Sequence, residues 1–174
     1  MTEWFDFDGL RLGAALFLAF LIAQRLGELV LAKRNTARLM ARGAREVSAG
    51  HYPLIVALHT AWIVALVVAG HDEALHLGWL AAFALLQLAR LWILASLGER
   101  WTTRIIVLDE PLVAKGPFAL MRHPNYALVI CEIAVAPLVL GLTWIALLFS
   151  VLNALALSVR IAEEERALAH LRPR

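Results

Sequence analysis

The sequence predicts an all-α, polytopic integral membrane protein with about five transmembrane helices and a cytoplasmic C-terminal helix. Three observations carry that expectation. Apolar residues make up 61% of the 174 residues and charged residues 17%, against roughly 45–50% and 25% in soluble domains, and the mean hydropathy is +0.74. The apolar residues fall into five runs that approach the roughly 20 residues a spanning helix needs. Lys and Arg collect in alternate connections between those runs, the signature of spans with a fixed orientation.

The first run covers residues 10–32. It follows Met1-Thr2-Glu3-Trp4-Phe5-Asp6-Phe7-Asp8, an acidic start without the basic region of a signal peptide, so it is expected to stay in the mature protein. The second run covers 52–69 and the third 74–97, with His71-Asp72-Glu73 between them. The fourth, 127–140, follows Arg122-His123-Pro124-Asn125-Tyr126, and 143–159 forms the fifth. Only Gly141-Leu142 separates the last two, which predicts a tight antiparallel hairpin, short enough to require tilt or partial embedding. The first connection carries Lys33, Arg34, Arg38, Arg42 and Arg45, the third Arg100, Arg104, Lys115 and Arg122, and the tail Arg166, Arg172 and Arg174. The other two connections contain neither Lys nor Arg. An odd number of spans then places the N-terminus outside an inner (cytoplasmic) membrane and all three basic segments in the cytoplasm. The chain reads as one membrane-embedded domain, 1–174, with three spans in 1–97 and the last two spans and the tail in 98–174. The long connection 98–117 is the place for a soluble cap over a site.

The formal charge of +2 and the pI near 9.1 do not call for nucleic acid, because topology accounts for the basic loops. Cys131 is the single cysteine, which leaves no disulfide framework or Cys-based metal site and reads as a small buried hydrophobe. Trp4, Trp62, Trp79, Trp101 and Trp144, near span ends, read as interfacial anchors. Polar residues inside the runs are expected to face the bundle interior or a wet cavity. They are Gln24, Arg25, Glu28, His59, Gln87, Arg90, Glu132 and Asn153. Arg25 and Glu28, three apart, read as a structural pair, and His59 as a hydrogen-bonded core histidine. No second His or Cys stands at ligand spacing for a metal. Arg90, followed by Trp92, Leu97-Gly98 and Trp101, is a candidate for lining the path of a substrate.

Two polar blocks carry the chemistry. Arg122-His123-Pro124-Asn125-Tyr126 gathers a guanidinium, an imidazole, an amide and a phenol at the entrance to an apolar run, where an unpaired polar group costs several kcal/mol. Pro124 disfavours helical geometry at His123 and removes an N–H, so it marks a break that exposes backbone donors. The plainer reading is a helix start with an interfacial Tyr and a positive-inside Arg. The second block is Arg160-Ile161-Ala162-Glu163-Glu164-Glu165. At helical spacing Arg160 and Glu164 share a face, the arginine suited to an anion and the carboxylate to hydroxyls or an ammonium. The plainer reading here is an ion pair on a solvated tail helix.

Together with Lys115-Gly116-Pro117-Phe118, the first block resembles the Gly-Pro-Tyr…Arg-His-Pro-x-Tyr signature of the isoprenylcysteine carboxyl methyltransferase family. Arg160-x-x-x-Glu164-Glu165-x-x-Leu168 resembles that family's second block. The resemblance is strongest over 90–168. It also touches Arg25-x-x-Glu28, Asn35 and Gly43-Ala44-x-Glu46. It implies a membrane methyltransferase that uses S-adenosylmethionine. Leu112, Val113, Phe118, His123, Pro124, Asn125, Tyr126 and Glu164 would contact the cofactor, and Arg160 would serve acceptor binding and catalysis; Arg90, from its own place in the third run, is the further candidate acceptor contact. Phe118 replaces the more common Tyr, and the sequence lacks the longer Tyr-containing tail of many relatives.

Methyl transfer to oxygen from an activated sulfonium needs mainly positioning. A carboxylate acceptor requires a cationic anchor such as Arg160, whereas a phenol or enol requires a base, for which His123 or a tail Glu is a candidate. The implied acceptor is a lipophilic small molecule or prenylated group drawn from the membrane lipid, either an isoprenylcysteine-like carboxylate or another lipid-like carboxyl or hydroxyl. Three rivals are an NADPH-dependent reductase of sterol-reductase type, a phospholipid N-methyltransferase and a small membrane scaffold. No Gly-x-Gly-x-x-Gly follows a strand-like segment, so a soluble dinucleotide fold is not indicated.

Overall fold

The computed structural model describes residues 6–47, 50 and 52–171; Trp4, Arg172 and Arg174, assigned roles from the sequence, lie outside them. The order is α1 (Asp6–Ala41), β1 (Arg45–Val47), α2 (Tyr52–Gly70), α3 (Leu77–Leu97), a 3-10 turn (Gly98–Arg100), β2 (Ile105–Val107), α4 (Pro117–Leu120), α5 (Pro124–Val139), α6 (Thr143–Leu168) and a last 3-10 turn (Ala169–Leu171). The protein is an all-α polytopic membrane protein, as expected. Helices α1, α2, α3 and α6 are long and apolar enough to cross a membrane. Helix α5 is apolar but has 16 residues, about 24 Å against a hydrocarbon core of about 30 Å.

Two helices outrun their apolar runs. Helix α1 has 36 residues and continues through Lys33, Arg34 and Arg38, which favour helix as strongly as the apolar residues before them. It stops at Gly43, where φ is +89°. The Gly43 N–H bonds the Met40 carbonyl and the Ala44 N–H bonds the Leu39 carbonyl, both at 3.0 Å, a Schellman end that uses glycine's left-handed freedom. Helix α6 runs to Leu168, not to 159, so the expectation of a short final pair holds for α5 alone. Its buried residues Ile145, Phe149, Asn153, Leu157 and Arg160 form a stripe at helical spacing.

Helix α5 is the centre of the bundle, packed on α3 and α6, and the α5–α6 turn carries Gly141 at φ +69°. Trp62 is fully buried with Leu21, Leu66, Ile133 and Ile145. It lies near the middle of α2 and is a core residue, not an interfacial anchor. Trp101 is likewise buried, against Ala32, Ile93 and Leu128, because the loop after α3 folds back over the bundle. Trp79 and Trp144 are exposed. Cys131 is exposed, correcting the buried reading; with Ile130 it belongs to the part of α5 that its packing partners leave uncovered.

The first and third connections meet at one end of the bundle. Strands β1 and β2 pair antiparallel, with Arg45 opposite Val107 and Val47 opposite Ile105. Arg104 reaches both Glu46 carboxylate oxygens at 2.9 Å, Arg38 bonds Glu99 at 2.9 Å, and Arg42 bonds Glu110 at 2.7 Å. Arg42 and Arg100 hold the Glu110 carboxyl below the usual carboxylate range by hydrogen bonding to it. At the opposite end the His76 N–H bonds the Val139 carbonyl at 2.8 Å, and Gly70 packs against Leu140 and Leu142. The basic connections therefore share one end and the turns without Lys or Arg share the other.

Between the two ends lies a polar network of α1, α3 and α5. Glu132, with no exposed surface, accepts from Arg90 Nε at 2.8 Å, from Arg25 Nη2 at 2.7 Å and from Gln87 Nε2 at 3.1 Å. Glu28 pairs with Arg25 at 2.9 Å and with Arg90 at 3.0 Å, and Gln24 donates to Glu28 at 3.0 Å and to Gln87 at 2.7 Å. Two guanidiniums and two carboxylates balance, which is how charges persist in hydrocarbon. Arg25–Glu28 is thus half of a four-charge cluster whose hub is Glu132.

Candidate active site at the charged end of the bundle

The start of α5 sets the site. Pro124 occupies the first helical turn, where its fixed φ fits and its missing N–H is not needed. His123, at φ −131° and ψ 58°, is outside the helix, and its carbonyl accepts from the Tyr126 and Ala127 N–H groups at 3.1 Å each. The chain therefore bends at His123 and presents Asn125 and Tyr126 from the first turn. The imidazole stacks on the Tyr126 ring, 5.5 Å between centroids, and its Nε2 lies 3.3 Å from a Glu165 carboxylate oxygen.

The end of α6 meets this turn. Arg160 Nε donates to the Tyr126 hydroxyl at 3.0 Å, and that hydroxyl donates to Glu164. Arg160 Nη2 donates to the Thr103 carbonyl at 2.8 Å. Arg160 and Glu164 are thus joined through the phenol, not paired directly. Arg160 is buried, 7% exposed, and among the described residues no carboxylate lies within 4.0 Å of its guanidinium. A buried cation held only by neutral oxygens is poised for an anionic partner.

Two cavities meet at this point. The first, about 200 Å³, lies under the loop 98–118 and is lined by Leu112, Val113, Phe118, His123, Asn125, Tyr126, Arg160 and Glu164, with loop residues that include Arg100, Trp101 and Arg104. Pro124 does not line it; it is buried in the helix start. The second, about 180 Å³, is bordered by α1, α2, α3, α5 and α6 and lined by Arg25, Glu28, His59, Arg90, Val129, Leu157 and Arg160, among others. Trp101, Thr102, Asn125, Tyr126 and Arg160 belong to both walls. Arg90 does line the second cavity, but its guanidinium is already committed to Glu28 and Glu132. Trp92 is exposed and lines neither. The Asn125 Oδ1 is buried without a hydrogen-bond partner, a vacancy that a bound polar group can fill.

Glycine fixes the loop over the first cavity. Gly116 has φ +58°, and a Cβ there would stand 2.3 Å from Ser96 Oγ and 3.1 Å from Trp92 Nε1. Only glycine lets the chain descend onto α3 and deliver Phe118 to the cavity wall. Sequence reasoning missed Thr102 and Thr103 and gave Trp101 a part in one wall only. Thr103 acts through its carbonyl, which leaves no trace in side-chain chemistry.

The match to known proteins covers this same region. Residues 79–170 match the model of the isoprenylcysteine carboxyl methyltransferase (ICMT) family. The chain belongs to this family. It is therefore a membrane methyltransferase by family, with α3 from residue 79 onward, the loop 98–118 and α4 to α6 inside the matched region. "Uncharacterized protein YpbQ" of Bacillus subtilis (strain 168) is 39% identical, over 88% of this chain and 95% of the relative. An "Uncharacterized protein" of Haemophilus influenzae (strain ATCC 51907 / DSM 11121 / KW20 / Rd) is 29% identical, over 90% and 95%. The ICMT match gives no support to the sterol-reductase or phospholipid N-methyltransferase alternatives.

Proposed function

We propose that this ICMT-family protein transfers a methyl group from S-adenosylmethionine to an oxygen of a lipophilic acceptor drawn from the membrane. The observation that carries this reading is Arg160, a buried guanidinium without a carboxylate partner, placed where two cavities join. The first cavity suits the cofactor. Leu112, Val113 and Phe118 offer an apolar wall, His123, Asn125 and Tyr126 of the turn that Pro124 fixes offer polar contacts, and Glu164 accepts from hydroxyls or an ammonium. The vacant Asn125 oxygen fits a polar ligand there. When bound, the cofactor supplies an already activated sulfonium methyl.

The second cavity suits the acceptor. Leu29 and Val56, exposed on α1 and α2, form part of its lining, so its mouth opens sideways to lipid while the first cavity lies at the water-facing end. Arg160 then holds the acceptor oxygen as an anion and orients it toward the first cavity. An amine acceptor is disfavoured, because it would place a second cation against that guanidinium. The acceptors of this reading are an isoprenylcysteine-like carboxylate or another lipid-like carboxyl or hydroxyl. The topology has five spans, with α5 short, the N-terminus outside and the cavity end in the cytoplasm.

The test is Arg160→Ala in detergent-purified protein. Turnover of a lipid carboxylate should fall on the order of 10²–10³-fold, as for loss of one transition-state donor, while affinity for S-adenosylhomocysteine changes much less. Unchanged turnover would remove Arg160 from the mechanism.

A further inference from the structure

His59 stands in the second cavity and belongs to α2, outside the residues matched by the family model. Its Nδ1 lies 2.9 Å from the Ile55 carbonyl one turn earlier. A carbonyl oxygen only accepts, so Nδ1 carries the proton, and the neutral ring keeps a bare lone pair on Nε2. Among the described residues none bonds that nitrogen. The rest of the α2 wall is Ile55, Val56 and Ile63 with Thr60 and Tyr52, the Tyr52 hydroxyl lying 3.2 Å from Thr103 Oγ1, and a lone pair left without a donor in such a site is costly. The other charged groups of the cavity do not substitute for it. Arg25, Arg90 and Arg160 only donate, and Glu28 is already engaged by Gln24, Arg25 and Arg90. His59 thus adds, from α2, a second open hydrogen-bond acceptor to a cavity whose other one is Asn125 Oδ1 on α5.

We infer that His59 selects an acceptor whose head group carries a hydroxyl in addition to the oxygen held by Arg160. This inference rests on the methyltransferase reading above and sharpens its substrate class. A prenyl or alkyl chain alone gives Nε2 no partner. A lipophilic molecule with a hydroxylated ring or hydroxylated acid as its head group does, donating O–H to His59 Nε2 from α2 while its second oxygen faces Arg160 on α6. A site built around such a bond discriminates against an analogue lacking the donor, because the ring nitrogen is then left unpaired.

The experiment uses the full chain in detergent with three probes: a long-chain alkyl dihydroxybenzoate, the same ester with one hydroxyl replaced by hydrogen, and S-adenosylhomocysteine. With the cavity intact, the dihydroxy probe should bind roughly 10-fold more tightly than the monohydroxy one. His59→Phe should abolish that preference and leave S-adenosylhomocysteine affinity unchanged. Protein carrying ¹⁵N-labelled histidine gives a second readout. The bare Nε2 resonance, assigned by its loss in His59→Gln, should move toward lower frequency when the dihydroxy probe is added. A preference that survives His59→Phe, or an Nε2 resonance indifferent to both ligands, overturns the inference. Absence of S-adenosylhomocysteine binding by the unsubstituted protein would instead overturn the methyltransferase reading, so the two failures are separable.

Discussion

At the scale of single residues, Arg160 and Tyr126 stand where the two cavities meet. The phenol accepts from Arg160 and donates to Glu164, so in the proposed reading it links the acceptor side of the site to the cofactor side. The guanidinium needs its planar fork, with Nε on the phenol and Nη2 on the Thr103 carbonyl. Lysine offers a point charge without that fork. Arg160→Lys should therefore recover little of the turnover lost in Arg160→Ala, and a kcat assay on both variants checks it. Recovery to near the unsubstituted rate would reduce the role of Arg160 to charge alone. The sequence made these residues visible because they are polar and sit beside apolar runs. It pointed to Arg160, Tyr126 and Glu164 individually and suggested a direct Arg160–Glu164 pair. The phenol between them is a contact 34 and 38 residues away in sequence, which local spacing does not reveal.

At the scale of elements, the membrane-embedded cluster ties α1, α3 and α5 together. Glu132 is the hub, holding both Arg25 and Arg90. Removing it leaves two guanidiniums to share Glu28, and breaking a buried pair in this way costs about 3–5 kcal/mol. Glu132→Ala should therefore lower the unfolding midpoint in detergent on the order of 10 °C, read by thermal scanning. A midpoint unchanged within error would show that the network contributes little to holding the helices. The five apolar runs gave the helices from the sequence, but not where α1 and α6 end. Charged residues such as Arg34, Arg38 and Glu163 favour helix as strongly as apolar ones do, so the hydropathy boundary and the helix boundary separate. Three-residue strands carry no usable periodicity, and β1 and β2 pair across 58–62 positions of chain. Their joining of two connections was not legible. Cys131 and Trp62 were misplaced for a related reason: burial in a bundle depends on which face neighbouring helices cover.

At the scale of the whole molecule, the two ends are chemically different. One gathers the loops with Lys and Arg, the β1–β2 pair and the first cavity. The other has the two turns without Lys or Arg. The charge pattern in the sequence anticipated this division, because alternation between connections is a property of order along the chain and survives folding. The joining of the two cavities through Tyr126, Asn125 and Arg160 was not anticipated, since it depends on α2 and α1 closing over a wall supplied by α5 and α6. In the proposed reading this arrangement separates a water-facing cavity from a lipid-facing one, and the two meet at the buried Arg160. The most direct test of that account is a calorimetric titration of the purified protein with S-adenosylhomocysteine, with NADPH in parallel. Saturable binding of S-adenosylhomocysteine alone, weakened at least about 10-fold in Glu164→Ala, is the expected result. NADPH binding in its place, or S-adenosylhomocysteine binding indifferent to Glu164→Ala, would contradict the placement of the cofactor in the first cavity.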